Sequence, residues 1–238
     1  MWWVEYVKQQ PYIITTMAFN STLLKLLGFL KQLFLLVVCV FLFTSLKKPV
    51  SYFSGKIVYT YQFADGNGRD ITNTLSKLLG KEQHYFVNDQ SYKSYDEKGH
   101  YKQLYNSGSN TYYYFTSDTT AHRIDASKIT SKVFAVKQLE DKEKIAGYDC
   151  SSVEIKTDDA TTTYFFTPLV AVHPTVFARH KFGEWDRILL ATNGAIPLKF
   201  KMIYHKQGFM TWTSSAMTVI PQKLEEGDFK LPGTVQLQ

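Results

Sequence analysis

The chain changes character at about residue 46, where an uninterrupted apolar run gives way to alternating apolar and polar positions. The run is LFLLVVCVFLFTSL from Leu33 to Leu46, with Lys25 and Lys31 before it and Lys47, Lys48 and Pro49 after it. Beyond it, KIVYTYQF places Ile57, Tyr59, Tyr61 and Phe63 on one side of a period-2 pattern and Lys56, Thr60 and Gln62 on the other, which predicts a strand with one apolar face. The loop Asp65-Gly66-Asn67-Gly68 ends that strand. Asn73 is then expected to cap a short helix that carries Leu75, Leu78 and Leu79 on one side and is closed by Gly80. Between His84 and Asp125 the runs HYFV, SYKSY, HYKQLY and TYYYF are separated by ND, DEKG, NSGSN and SDTT, the spacing of an antiparallel meander. From Pro197, Leu198, Phe200, Met202 and Tyr204 alternate with Lys199, Lys201, Ile203 and His205. A turn near Gly208 and a strand bearing Met210 and Trp212 complete a hairpin.

Alternation of this kind belongs to antiparallel sheets with one wet face, whereas strands buried on both faces of a parallel sheet read as continuous apolar runs. Helical periodicity is weak outside 73–79 and a stretch at 168–180, so the expected class is mainly β with one or two short helices. The apolar run of roughly 14 residues is shorter than the ~20 that a membrane-crossing helix needs and suits the core of a secretory leader. No small-x-small cleavage site follows it, so residues 17–54 read either as a signal peptide or as an uncleaved signal anchor. In the second case residues 22–46 would sit in the inner membrane, with Lys25 and Lys31 on the cytoplasmic side. A start at Met17 would make 1–16 an upstream extension outside the natural product, and residues 55–238 form the exported β domain. Cys39 lacks the small preceding residue that lipidation wants, since Val37 and Val38 stand there.

Charge removes one class of partner. The 27 basic and 21 acidic residues fall to 22 and 20 once Lys8, Lys25, Lys31, Lys47, Lys48 and Glu5 are set aside, and TYYYF carries no interleaved Lys or Arg. The exported domain therefore lacks the electrostatic footprint of a nucleic-acid binder. Cys150 is its lone cysteine, so no intramolecular disulfide forms and the core must supply the stability. His173 and His180 stand seven apart with no Cys or acidic cluster beside them, which is not zinc spacing. Phosphate-cradling loops and the GxSxG elbow are absent, and no cofactor is implied. The 16 Tyr and 17 Phe are the remaining signal. They suit either ordinary sheet packing or a ring-lined cavity with polar tips for an amphipathic ligand.

Four stretches in order, KEKIAGYDCSSVEI (142–155), TYFF (163–166), GAIPLKFKM (194–202) and TVIPQKLEEGDFKLP (218–232), resemble the DUF4412 family of exported proteins of Bacteroidetes-type bacteria, which is related to the GLPGLI proteins. The shared pattern is I-x-G-Y-x-C at Ile145, Gly147, Tyr148 and Cys150, an aromatic strand at Tyr164 to Phe166, G-x-P-L at Gly194, Pro197 and Leu198, and F-x-L-P at Phe229, Leu231 and Pro232. The long leader and an insertion-like stretch at 168–190 depart from it. The resemblance implies an architecture similar to the LolA/LolB lipoprotein carriers: a curved antiparallel sheet forming a half-open barrel around an apolar concavity plugged by helices. It further implies a periplasmic or envelope protein without a reaction, whose partner is a lipid, a lipoprotein acyl chain or another apolar or amphipathic small molecule. The residues expected to face that concavity are Tyr59, Tyr61, Phe63, Phe200, Met202 and Trp212. Two other readings stay open: an envelope scaffold with a self-filled core that contacts protein partners, and a thiol enzyme using Cys150.

Overall fold

The computed structural model describes residues 52–206 and 210–238; the leader, with its cleavage or anchoring, and the turn at Gly208 lie outside them. The elements are β1 (Gly55–Ala64), α1 (Thr72–Leu79), β2 (Glu82–Val87), β3 (Ser91–Tyr95), β4 (Tyr101–Asn106), β5 (Thr111–Ser117), β6 (Thr120–Asp125), β7 (Val133–Ile145), β8 (Tyr148–Thr157), β9 (Ala160–Ala171), α2 (Trp185–Ala191), β10 (Ala195–Tyr204), β11 (Thr211–Pro221) and β12 (Gln236–Leu237). The strands form one sheet in the order β12-β6-β5-β4-β3-β2-β1-β11-β10-β9-β8-β7. All pairs are antiparallel except β12 with β6. The fold is thus mainly β, a curved half-open barrel whose edges are β12 and β7. Register shifts at Val58/Tyr59, Ser94/Tyr95, Phe115/Ser117 and Leu139/Lys142 mark bulges, which bend strands and increase their twist.

The main core lies inside the curve. Ile57, Tyr59, Tyr85, Val87, Tyr92 and Tyr105 from one wing meet Cys150, Val170, Val172, Phe177, Leu189 and Leu198 from the other side. A second cluster lies on the opposite face of β2 to β6, where Leu104, Phe115 and Ala121 pack under Phe229 and the partly buried Leu224 and Leu231. The expectation of one wet face therefore fails for this wing. The C-terminal segment covers its back, so TYYYF buries rings on both sides.

Two local expectations are corrected. The first helix starts at Thr72, with Asn73 inside it rather than capping it, because Asp70 Oδ1 accepts the Thr72 amide at 2.8 Å and Thr72 Oγ1 accepts that of Phe63 at 3.0 Å. Leu78 and Leu79 are exposed, and Ser76 is the buried position. The helical stretch expected at 168–180 is instead the end of β9 followed by turns. Val170 and Val172 face inward at period 2, while Pro168 sits where the pairing with β10 is interrupted between Phe166 and Ala171. The second helix begins later, at Trp185, after Gly183 and Glu184 turn the chain with φ of 67° and 57°.

Gly194 joins α2 to β10 with φ of 86°, and a Cβ there would stand 2.5 Å from the Val172 carbonyl oxygen. Its own carbonyl accepts the Val172 amide at 2.9 Å, which ties the helical segment to the end of β9.

Candidate functional site

Cross-strand register builds the site. Tyr61 of β1 faces Ser214 of β11, which faces Phe200 of β10, which faces Tyr164 of β9. In this row one small side chain stands between rings. The next row runs Phe63, Trp212, Met202. A half-open cavity of about 230 Å³ occupies the concavity beside Ser214, walled by the first row, by Trp212 and Met202 of the second, by Tyr59 of β1, by Gln83, Tyr85 and Gln103 of β2 and β4, and by Trp185 and Ile188 of α2.

The segment at 177–188 closes the remainder of the concavity. Tyr85, Tyr92, Tyr105 and Tyr112 on adjacent strands carry Phe177, His180 and Trp185 above them. His180 lies 4.1 Å from the Tyr105 ring centroid, and Trp185 lies 5.2 Å from that of Tyr92. His180 is fully buried, its Nε2 is 2.7 Å from the Tyr92 hydroxyl, and burial lowers its pKa to about 3, so it is neutral. His173 instead bonds Thr175 Oγ1, and among the described residues no three His, Cys, Asp or Glu side chains come together as a metal site.

The cavity wall carries no ionisable side chain other than tyrosine. Burial raises the pKa of Tyr59, Tyr61, Tyr85 and Tyr164, so their hydroxyls stay protonated. The carboxylates of Glu97 and Glu184 act on Tyr61 and Tyr164 in the same direction. Some polar atoms are already spent. The Tyr59 hydroxyl donates to the Pro197 carbonyl at 2.9 Å, Gln83 Nε2 to Ser94 Oγ at 3.0 Å, and Gln103 Oε1 accepts from Tyr112 at 3.0 Å. Others are not: the Tyr85 hydroxyl and Trp212 Nε1 are buried without a partner among the described residues.

Of the residues expected to face the concavity, Tyr59, Tyr61, Phe200, Met202 and Trp212 line this cavity. Phe63 does not; it is 2% exposed and stacks on Trp212 at 5.8 Å. Sequence reasoning passed over Tyr85, Gln103, Trp185 and Ile188. Trp185, Ile188 and Leu189 stand at i, i+3 and i+4, a helical signal just one turn long. Cys150 is buried in the main core. Its thiol donates weakly to the Tyr148 carbonyl at 3.6 Å, and burial raises its pKa, the opposite of an activated nucleophile.

LolA-superfamily proteins stand among the structural neighbours of this chain. LolA superfamily protein NE2245 from Nitrosomonas europaea is 9% identical, with a TM-score of 0.35 over 75% of this chain and 90% of that one. A putative outer membrane lipoprotein-sorting protein domain from Vibrio parahaemolyticus is 12% identical, with a TM-score of 0.30 over 74% of this chain and 89% of that one. PNGF-II is 14% identical, with a TM-score of 0.42 over 77% of this chain, which spans 31% of the PNGF-II chain. No family model and no curated protein matches the sequence.

Proposed function

We propose that this chain is a non-enzymatic protein of the periplasm or cell envelope that binds a lipid, an acyl chain or another apolar ligand in the concavity of its curved sheet. The observation that carries this reading is the half-open cavity of about 230 Å³, walled by rings and aliphatic groups and free of charge. The volume is just under the roughly 300–1,000 Å³ of pockets that enclose a whole drug-sized ligand, which suits one chain or chain end. Burial of apolar area, at ~25 cal/mol per Å², supplies the drive before the cost of capture. The leader delivers the domain to the envelope and is then removed or kept as an anchor. Tyr59, Tyr61, Phe200, Met202 and Trp212 are the ligand-facing residues, and Phe63 supports Trp212 from behind. The raised pKa of Cys150 speaks against a thiol enzyme.

The stacked rings around His180 favour a second reading, an envelope scaffold that fills its own concavity and works through protein contacts. Native mass spectrometry and organic extraction of protein purified from its host's envelope separate the two. A reproducible bound lipid, absent from a folded Phe200→Asp variant, supports the carrier. Protein that arrives empty favours the scaffold.

A further inference from the structure

Helix α1 carries its leucines on the outside. Ser76 is its buried position, whereas Leu78 is 79% exposed and Leu79 44%. A helix that packs on a sheet turns its apolar stripe to the core and its polar groups to water. Over the last turn of α1 that assignment is reversed. The helix also stands on the rim of the concavity. The Phe63 carbonyl accepts the Ile71 amide at 3.0 Å, and the Lys81 carbonyl accepts the Tyr61 amide at 3.1 Å. Pairing of β1 with β2 ends at Thr60, so α1 and its flanks border the rest of β1 in place of that strand. Tyr61 and Gln83, beside this border, line the cavity.

Charge decides what meets these leucines. Lys77 and Lys81 flank them, both exposed, and neither has an ion-pair partner among the described residues. The carboxylates of the same rim are engaged within the fold. Asp65 pairs with Arg69 at 2.7 Å, Asp70 Oδ1 accepts the Thr72 amide at 2.8 Å, and Glu82 lies 3.1 Å from His84. Glu97 accepts the amides of Lys81 and Glu82 at 3.0 and 3.4 Å. The two ammonium groups are thus the charge presented with the leucines. A second copy seated on this patch would set each lysine against its own counterpart, and like charges in contact are penalised. A stable protein partner needs about 1,200–2,000 Å² of buried surface, and the exposed Asn73 and Thr74 add no apolar area to the patch. A bilayer surface accepts a small apolar protrusion and, where its headgroups are anionic, pairs the flanking cations.

We propose that the end of α1 is a docking site for an anionic lipid surface, with Leu78 and Leu79 entering the interface and Lys77 and Lys81 meeting its headgroups. This goes beyond the reading of the concavity and holds whether or not a ligand enters it. It gives the rim of the concavity a defined neighbour, because the docked helix is joined to Tyr61 of the cavity wall through Lys81.

The test places a polarity-sensitive nitrobenzoxadiazole dye on the full chain through Leu78→Cys, in a Cys39→Ser background where the remaining Cys150 is buried. The control carries the dye through Lys201→Cys, an exposed position on the face of β10 opposite Phe200 and Met202. Both proteins are mixed with vesicles of phosphatidylcholine alone or with about 30% phosphatidylglycerol, the anionic surface that attracts lysines. Emission from position 78 is expected to brighten and shift to the blue with the anionic vesicles, and emission from position 201 to stay as in buffer. Lys77→Gln and Lys81→Gln should each lower the docking equilibrium about fivefold, the worth of one cation at an anionic surface. Both side chains are exposed, so the thermal midpoints of these variants should match the parent. No shift at position 78 overturns the proposal. Equal shifts at 78 and 201 overturn it too, since the leader alone would then account for proximity to lipid. A shift that ignores both phosphatidylglycerol and the two lysines overturns the choice of an anionic surface. A shift that needs no vesicles and grows with protein concentration overturns the proposal in favour of contact between copies.

Discussion

Individual side chains in this protein show their roles through what their polar atoms meet. Tyr59 and Tyr85 are both buried tyrosines of the cavity wall, but one hydroxyl is bonded to Pro197 and the other is unmatched. Tyr59→Phe strands the Pro197 carbonyl and is expected to cost about 1–2 kcal/mol, while Tyr85→Phe removes a burden and should cost nothing. Urea unfolding of the two variants compares them directly, and equal losses would refute the difference in bonding. His180 makes a second prediction through pH. Its folded pKa of about 3 lies below the 6.5 of the free side chain, so between those values the unfolded chain binds a proton that the folded chain refuses. Stability from this residue is complete above pH 6.5 and declines as pH falls, by up to about 1.4 kcal/mol per unit. His180→Phe should be weaker at pH 7, where the Tyr92 hydroxyl loses its partner, and flatter between pH 6 and 4. Unfolding midpoints across that range, with the carboxylate contribution common to both proteins, give the comparison. Parallel curves would place His180 in a wetter setting than the stacked rings around it allow.

At the scale of elements, the joint between α2 and β10 carries the plug. Gly194→Ala would drive a Cβ into the Val172 carbonyl in a backbone region that L residues avoid, and neither β9 nor β10 can yield without losing register. A loss of about 2–4 kcal/mol is expected in thermal or urea unfolding. A loss below 0.5 kcal/mol would mean that the joint is not fixed as described. The same joint shows what could be read in advance. β1 and β10 each bury one face, so their period-2 pattern disclosed their inner side chains, and five of the six residues expected in the concavity do line its cavity. Phe63 followed the same alternation but lies under Trp212, a matter of which ring is on top that alternation cannot express. The β2 to β5 wing hid Tyr85 and Gln103 because the C-terminal segment covers its back and the apolar period disappears. Trp185 and Ile188 were hidden because α2 has seven residues and follows two positive-φ positions, too short a helix to show a period. The capping error at Asn73 has two causes: Asp70 accepts the Thr72 amide two residues on, a local signal that Asn73 overshadowed, and Thr72 accepts the Phe63 amide of β1, a contact outside any local pattern.

For the whole molecule, the question is why a sheet that fills most of its concavity with its own rings leaves part of it open. Ser214, buried at the back of the cavity, is the small residue between Tyr61 and Phe200 in a row that continues to Tyr164. Packing alone would place a large apolar side chain there, since filling such space adds buried area and removes a void. A cavity kept for a ligand predicts the reverse bargain. Ser214→Leu should occupy part of the 230 Å³, raise the thermal midpoint of the ligand-free protein by a few degrees and abolish displacement of a neutral fluorescent probe by an apolar competitor. The unsubstituted protein should instead gain stability from the ligand itself, about 2.7 kcal/mol at a hundredfold excess over Kd, and that gain should vanish in the variant. Thermal unfolding of both proteins with and without methyl laurate measures the two effects together. A variant that is more stable and no longer responds to ligand places binding in the concavity. A variant that responds as fully as its parent would move the ligand elsewhere, and one that is less stable without ligand would show that Ser214 is small because the row needs it so.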